Sequence, residues 1–386
     1  MKYLFVFCVF MVFFSCASSD VFNNGSAKLQ KPVHRIDINF DYGVPIVKVK
    51  IKDKFYNFLL DTGAPTIVSH EIYREFGLKH KSNLIIDDSQ NSSEKHFLTI
   101  VPKMFVDDIE FDNIDAVVMD FEAGEFQCMK LDGILGANQM ALFAWKFDLS
   151  NRWVEVSDDV KNWDLSSFSH SISFTTIPQQ TPIVKAKVFD KNYKFTFDTG
   201  FNGKFILEEH PDDIEEESLS LVETIGAASV GMTGQVQVSK EYFFQTHELN
   251  LGNLKVNKPV FYTGQTSLIG NDFLRNFNFI IDWEDKEIYF KPKSNPDFLL
   301  QSHGFSFRTV DSKTLVSLIF NHDEQKMKLG DELISINDLN LSNLTFEQNC
   351  ELFRKQISSK PDKVKVKFKR DNQLMELELE KSDFFE

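Results

Sequence analysis

The chain has 386 residues, of which 42% are hydrophobic and 26% are charged. This composition is typical of globular domains with apolar cores, and the length favours two or three domains over one. The formal net charge is −15, and no segment concentrates the positive residues. Because such a chain repels a polyanion, the composition argues against a nucleic-acid partner.

The N-terminus has the features of an export signal. Lys2 gives a positive start, residues 3–14 form an apolar run too short to span a bilayer, and Ser15 is a small residue before Cys16. This order resembles a bacterial lipoprotein signal, although the run ends in two Phe residues where such signals prefer Leu and a small residue. The resemblance implies a signal peptide over residues 1–16, lipid on Cys16, and membrane anchoring on the periplasmic or surface side of the cell envelope. A plain secretory signal is the alternative.

The four cysteines give little further information. Cys8 is lost with the signal, and Cys16 would carry the lipid. Cys128 and Cys350 lie in different predicted domains, so we expect no disulfide between them, although export would permit one. Each is interpreted as a small buried apolar residue.

An internal repeat dominates the sequence. Residues 44–63 align without a gap with residues 181–200, and about twelve of the twenty positions are identical. Both copies end in Asp-Thr-Gly. The Asp-Gly-Ile-Leu-Gly of residues 132–136 likewise corresponds to the Ser-Leu-Ile-Gly of residues 267–270. The chain is therefore predicted to contain two similar lobes.

The local pattern within the repeat is mostly that of β-strands. Residues 44–52 alternate between apolar and polar, which is the period of a half-buried strand. Short helices are expected at residues 70–76 and 139–144. We predict two antiparallel β lobes that face each other across a cleft. Their boundaries are a linker over residues 17–32, lobe 1 over residues 33–160, and lobe 2 over residues 161–292.

The repeated Asp-Thr-Gly predicts a pair of catalytic carboxylates. Each motif follows an apolar strand, and its glycine supplies the backbone freedom that a tight loop needs. Two-fold symmetry would place Asp61 and Asp198 side by side, where like charges cannot both ionise and one proton is shared. The ionised partner can then take a proton from water while the protonated one donates to a carbonyl oxygen. This chemistry requires neither a metal nor another cofactor.

Residues 33–292 resemble retropepsin-like and pepsin-like aspartic proteases, especially bacterial forms with two fused lobes. The resemblance implies that Asp61 and Asp198 form the catalytic dyad. It also implies that Thr62 and Thr199 bond across the symmetry axis and hold the two loops. Two further sets of residues follow from the same family: the loop glycines Gly63 and Gly200, and the apolar-apolar-Gly segments of residues 134–136 and 268–270.

Lobe 2 departs from the family after its motif. Phe201 follows Gly200, whereas the family usually has Ala or Ser there, so the pocket could be reshaped or the lobe weakened. The substrate-covering flaps are expected at residues 87–95 in lobe 1 and at the Gly-rich residues 226–234 in lobe 2. No His-Glu-x-x-His or other ligand spacing occurs among the nine histidines, so no metal site is expected.

The last part of the chain resembles a PDZ domain over residues 293–386. Residues 328–337 contain the Leu-Gly-Asp turn and the strand ending in Ile-Asn that are typical of that family, although Asp338 stands where Gly is usual. A helix at residues 345–354 and strands at 363–369 and 374–379 continue the expected order. The resemblance implies a small α+β domain that binds a C-terminal peptide by strand addition, with residues 303–307 as the carboxylate loop. A docking domain without a free groove is the alternative.

Two functions from different classes remain. The first is an aspartic endopeptidase of the cell envelope that cuts exported proteins or peptides. The second is an inactive lipoprotein in which the lobes and the PDZ-like domain only recognise peptides. Because both lobes lie in one chain, dimerisation is unnecessary and a monomer is expected.

Overall fold

The fold is known from a computed structural model that describes residues 22, 25–87, 93–121, 124–209, 214, 218–226, 238–296, 298–310, 313–320, 326–355 and 362–385. The prediction of a mostly β protein is confirmed. The signal segment and Cys16 lie outside the described residues. Within the described part of the chain, no helix is long and apolar enough to cross a membrane.

The first half of the chain forms a closed barrel. Strand β1 falls in the segment predicted as a linker, where it pairs with the turn end of β8. The barrel closes in the order β8-β5-β9-β4-β3-β7, because β7 also pairs with β8. The strands of the first half are β1 (Ser26–Lys28), β2 (Val33–Asp37), β3 (Ile46–Ile51), β4 (Lys54–Asp61), β5 (Ile67–Val68), β6 (His80–Asp87), β7 (Ser93–Val106), β8 (Ile109–Val118), β9 (Gly133–Gly136), β10 (Ala144–Asp148) and β11 (Trp153–Ser157). Of these, β2, β10 and β11 lie outside the barrel.

The described residues of this half also form three short helices: α1 (His70–Glu75), α2 (Gly124–Met129) and α3 (Ala137–Met140). The predicted helix over residues 139–144 is wrong in its bounds. The helix begins directly after Gly136, whose backbone is extended, and it ends before Ala144, which starts β10. The reason is tertiary, since β10 is needed for pairing in the sheet between the two halves.

The second half repeats the arrangement. Two 3-10 turns, Val160–Asn162 and Leu165–Ser167, connect the halves. One helix, α4 (Asn271–Leu274), corresponds to α3. The strands are β12 (His170–Thr176), β13 (Pro182–Val188), β14 (Lys191–Phe197), β15 (Phe205–Leu207), β16 (Ser220–Gly226), β17 (Ser239–Gln245), β18 (Glu248–Leu251), β19 (Leu254–Asn257), β20 (Val260–Thr263), β21 (Leu268–Ile269), β22 (Phe277–Asp282) and β23 (Glu287–Pro292).

One antiparallel sheet joins the two halves, in the order β2-β11-β10-β22-β23-β12. The central strands β10 and β22 are equivalent in the repeat, so the axis of the internal symmetry passes between them. Phe147 and Phe279 stack across this pair with ring centroids 4.7 Å apart. The main apolar core is continuous from one barrel through this sheet into the other. Burial of this large shared surface fixes how the halves face each other.

The C-terminal region follows Pro292 and folds around its own apolar cluster. Its helix α5 (Phe346–Lys355) begins and ends one residue later than the helix predicted over residues 345–354. The hydroxyl of Thr345 caps it by accepting a hydrogen bond from the backbone N–H of Gln348 at 3.2 Å. Its strands are β24 (Gln301–Ser302), β25 (Phe305–Val310), β26 (Lys313–Phe320), β27 (Glu332–Ile336), β28 (Leu339–Asn340), β29 (Lys363–Arg370), β30 (Gln373–Glu380) and β31 (Ser382–Asp383).

The structure corrects the expectation for the cysteines. Cys128 of α2 and Cys350 of α5 form a disulfide between the first half and the C-terminal region. The two residues are separated by 222 positions in sequence. The assumption that residues of different domains stay apart is wrong here, because α5 packs directly on the first half.

Candidate active site

The two repeated motifs meet at the symmetry axis. Asp61 ends β4 and Asp198 directly follows β14, and both side chains are fully buried. The two loops approach so closely that glycine is required in each. A Cβ placed at Gly63 would lie 2.7 Å from Cγ of Asp198, and one at Gly200 would lie 2.3 Å from Oδ2 of Asp61. Each carboxyl therefore packs against the glycine of the other half.

Each aspartate is held by its own loop. Oδ1 of Asp61 accepts hydrogen bonds from the backbone N–H groups of Gly63 at 2.7 Å and Ala64 at 3.0 Å. Oδ1 of Asp198 accepts the equivalent bonds from Gly200 at 2.8 Å and Phe201 at 3.2 Å. Oδ2 of each carboxyl is buried and accepts no bond from any other described donor. Oδ1 of each aspartate, the inner oxygen, is thus fixed by its own loop, and Oδ2, the outer oxygen, remains available for chemistry.

The two threonines lock the loops together, as the family resemblance implies. The hydroxyl of Thr62 donates to the carbonyl of Phe197 at 2.5 Å, and that of Thr199 donates to the carbonyl of Leu60 at 2.9 Å. Each hydroxyl also accepts from the backbone N–H of the other threonine, at 3.0 and 3.1 Å. These four buried bonds cross the axis, so neither loop keeps its geometry without the other.

The environment of the dyad keeps a proton on it. Burial raises the pKa of Asp61 from 3.8 to about 7, although hydrogen bonds from Gly63 and from Asp198 lower it. Burial raises the pKa of Asp198 well above its ordinary value, and the charge of Asp61 raises it further. When the pair carries one negative charge, Asp198 therefore holds the proton and Asp61 is the carboxylate.

The predicted apolar-apolar-Gly segments lie beside the loops. Strand β9 pairs in parallel with β4 so that Gly136 is opposite Asp61, and β21 pairs in the same way with β14. A Cβ at Gly136 would lie 2.1 Å from the backbone carbon of Pro65. The glycine therefore permits the backbone of this segment to touch the catalytic loop.

Phe201 does not disrupt the second loop. Its backbone N–H bonds Asp198 as Ala64 bonds Asp61, and its side chain is fully buried. A Cβ at Gly203 would lie 2.2 Å from Cζ of Phe201. The ring of Phe201 therefore fills the space that a side chain at position 203 would need. The combination of a large residue at position 201 with glycine at position 203 thus preserves the packing around the loop.

Sequence reasoning missed two polar residues that connect the halves at this site. Asn271, at the start of α4, donates from Nδ2 to the carbonyls of Thr199 at 2.7 Å and Gly43 at 3.0 Å. The hydroxyl of Thr181 donates to the carbonyl of Gly63 at 3.2 Å. Neither could be found from the repeat, because the equivalent positions in the first half are Ala137 and Val44. Their roles appear only once the halves are assembled.

Two hairpins extend from the site where flaps are expected. The pair β6 and β7 in the first half is equivalent to the pair β16 and β17 in the second. Of the predicted flap tips, residues 88–92 and 227–234 lie outside the described residues.

One group of potential metal ligands occurs in the described part of the chain, and it does not include the dyad. The ligand atoms of His34, Asp107 and Asp108 lie within 4.8 Å of one another. Nε2 of His34 is 3.0 Å from Oδ2 of Asp107, so this pair already forms a contact between β2 and the β7–β8 turn.

Comparison with known proteins supports the interpretation of the first half. Residues 47–139 match a family model described as aspartyl protease. Among solved structures, the chain is similar to a retropepsin-like aspartic protease from Rickettsia conorii. That similarity has 18% identity and a TM-score of 0.25, and it covers 34% of this chain and 92% of the other. The search of curated proteins gave no match.

Proposed function

We propose that this protein is an aspartic endopeptidase that hydrolyses peptide bonds with a water molecule activated between Asp61 and Asp198. The observation that carries the proposal is the pair of buried carboxyls. Backbone donors fix Oδ1 of each, and Oδ2 of each has no other partner among the described residues. Two buried carboxyls in contact are costly for folding, so their presence favours catalysis over a purely structural role. The aspartyl protease match over residues 47–139 agrees with this proposal.

The mechanism follows from the two protonation states. Asp61, as the carboxylate, takes a proton from the water that attacks the carbonyl carbon of the substrate. Asp198 donates its proton to the carbonyl oxygen, and a tetrahedral diol forms. The proton taken up by Asp61 then passes to the amide nitrogen as the carbon–nitrogen bond breaks, while Asp198 regains its proton from the diol. No covalent intermediate with the protein forms.

The test is cleavage of a diverse peptide library by the chain without residues 1–16, from pH 4 to 9. The Asp61→Asn and Asp198→Asn variants should each lose at least a thousandfold in kcat/KM, because each half supplies one indispensable carboxyl. Asp338→Asn, at an exposed position of the C-terminal region, is the matched control and should keep full activity. If the folded protein cleaves nothing, with or without dithiothreitol, the inactive peptide-binding alternative is the better proposal. Cleavage that both variants retain excludes the dyad as the source of the activity.

We further propose that the enzyme is an exported lipoprotein, anchored to the cell envelope through Cys16. The support is the sequence order of positive start, apolar run, small residue and cysteine. A Cys16→Ser variant should move from the membrane fraction to the soluble fraction after cell fractionation. Equal distribution of both forms would contradict the anchor and leave a plain secretory signal.

We propose that the C-terminal region is a PDZ-like domain of a monomeric protein. Support comes from its order of elements, β25 to β27, then α5, then β29 and β30, around one apolar cluster. Strand β25 pairs only with β26 among the described strands, so its other edge could accept an extended peptide. Binding of a C-terminal peptide library should be lost if the terminal carboxylate is amidated. Binding that ignores the carboxylate would favour the docking alternative.

A further inference from the structure

The first half has a second apolar cluster that adjoins its catalytic loop. Ala64 belongs to it and directly follows the Asp-Thr-Gly glycine. The flap-hairpin residues Leu84 and Leu98 belong to it as well. This face therefore borders the space that a substrate must enter. The other buried members are Phe22, Val44, Ile46, Leu59, Ile67, Val117, Met119, Phe121, Phe126, Met129, Leu131 and Ile134.

The second half has an equivalent face. In the first half, Val117 pairs in parallel with Ile67, on the short strand after the catalytic loop, and lies opposite Leu98. In the second half, Tyr262 pairs in the same way with Ile206 and lies opposite Phe243. Tyr262 and Phe243 are thus the counterparts of Val117 and Leu98, on the substrate side of the hairpin.

The C-terminal region covers this face of the second half. Phe243, Tyr262 and Val222 form one buried cluster with residues of β26 and of the chain end. The rings of Phe243 and Phe320 stack 5.6 Å apart. The contributing residues from the C-terminal region are Phe298, Leu300, Leu318, Phe320, Phe384 and Phe385. Because these side chains replace water on an apolar surface, the contact is held by the hydrophobic effect.

Main-chain pairing adds to this contact. Strand β26 pairs antiparallel with β16, the outer strand of the hairpin, from Thr224 opposite Phe320 to Gly226 opposite Leu318. Gly226 has a φ of +132°, and a Cβ there would lie 2.2 Å from the carbonyl oxygen of Ser317. Only glycine therefore allows this approach. In the first half, the equivalent outer strand β6 has β7 as its partner and lies at the edge of the described sheet.

The same region is fastened to the first half. The disulfide joins α5 to α2, whose residues Phe126 and Met129 belong to the apolar cluster beside the catalytic loop. Phe353 of α5 packs against that cluster and stacks on Tyr42 with centroids 5.5 Å apart. The C-terminal region therefore contacts the catalytic-loop side of both halves.

We propose that the C-terminal region is a cover across the substrate cleft, and that the Cys128–Cys350 disulfide fastens it in a latent state. This inference rests on the proposed peptidase function. A dithiol reductant breaks the Cys128–Cys350 bond. The disulfide takes up two electrons and two protons and becomes two thiols, while the dithiol is oxidised to its own disulfide. Both cysteines are half-buried, so a thiol can approach them. With the disulfide intact, α5 cannot leave the first half, and the cleft stays covered.

The experiment compares the oxidised chain with three matched forms: the same chain in dithiothreitol, the double variant Cys128→Ser/Cys350→Ser, and Gly226→Ala. We measure kcat/KM on a cleaved peptide, and deuterium uptake of residues 220–226 by mass spectrometry. Reduction and the double variant should each raise kcat/KM at least fivefold and accelerate the uptake. Dithiothreitol should have no further effect on the double variant.

The Gly226→Ala variant tests the cover without thiol chemistry, because the added Cβ pushes β26 away from β16 while the disulfide stays intact. It should accelerate uptake of residues 220–226 without reductant. Gly77→Ala is its matched control: Gly77 also has a positive φ, but a Cβ there meets nothing within 4 Å. Circular dichroism and melting temperatures establish that each variant is folded, and the reduced wild-type chain serves if the double variant is not.

The outcomes distinguish the two proposals. Measurable cleavage that is unchanged by reduction, or that falls in folded variants, overturns the cover. If no form cleaves any peptide, the proposed peptidase function fails, and the deuterium uptake alone tests whether the disulfide fastens the C-terminal region. Unchanged uptake on reduction then also overturns the fastened cover, and faster uptake supports it.

Discussion

Replacement of Asp61 by Asn should stabilise the protein at neutral pH, because the native carboxyl is held in an unfavourable environment. The substitution keeps the shape that the closely packed Gly200 requires. Its Oδ1 can still accept from Gly63 and Ala64, and its amide can donate to Asp198. The change therefore removes the buried charge with little effect on packing.

The size and the sign of this stability difference follow from the raised pKa of Asp61. The folded state holds the proton up to about pH 7, whereas the unfolded state releases it near 3.8. Between these values the folded state binds more protons, so the stability of the wild-type protein falls as the pH rises. The full shift corresponds to about 4 kcal/mol, which is lost above pH 7 and fully present below pH 4. The Asp61→Asn variant does not lose this stability, because it has no carboxyl to ionise at position 61.

Differential scanning calorimetry of both proteins from pH 4 to pH 8 measures this difference. The melting temperatures should agree closely at pH 4, and the Asp61→Asn variant should melt about 5 °C higher at pH 8. Asp338→Asn, at an exposed position, should show no such trend. A difference that does not change with pH, or a variant that is increasingly destabilised as the pH rises, would refute the reasoning that burial raises the pKa of Asp61.

Three further predictions concern activity and the loop contacts. Because Asp61 is protonated below its raised pKa, kcat/KM on a peptide should rise with pH through about 7; a profile that falls from pH 5 to 7 contradicts this. Thr199→Val removes a buried hydroxyl with two bonds across the axis and should cost about 2–4 kcal/mol in the free energy of unfolding, whereas Thr199→Ser should cost less than half of that. Gly200→Ala should lower kcat/KM at least a hundredfold, since its Cβ would lie 2.3 Å from Oδ2 of Asp61, and Gly77→Ala should not.

The candidate site is predictable from the sequence to the extent that it obeys the internal symmetry. A gapless repeat that ends twice in Asp-Thr-Gly requires the two loops to be equivalent, and equivalence about one axis brings them together. The positions of Asp61, Asp198 and the two threonines therefore follow from the repeat. The mostly β prediction follows in the same way from period-two patterns in each half, and it is confirmed.

The contacts that the sequence does not predict are those made between non-equivalent parts of the chain. The Cys128–Cys350 disulfide depends on where α5 docks, and no periodicity in the sequence encodes that docking. Asn271 reaches the carbonyl of Gly43 only because the halves are assembled face to face. The helix at Ala137–Met140 is shorter than the pattern suggests because β10 is required for pairing between the halves.

The exchange around Phe201 shows how far the two halves can diverge without loss of the dyad. On the axis, the constraints are mutual: each glycine faces the other carboxyl, so neither position can vary alone. Away from the axis, each loop only has to fill its own space. There the second half combines Phe201 with Gly203, whereas the first half has the small Ala64 at the position of Phe201. A symmetric catalytic centre is thus compatible with asymmetric surroundings, and the asymmetry extends to the hairpins, of which the one in the second half pairs with the C-terminal region.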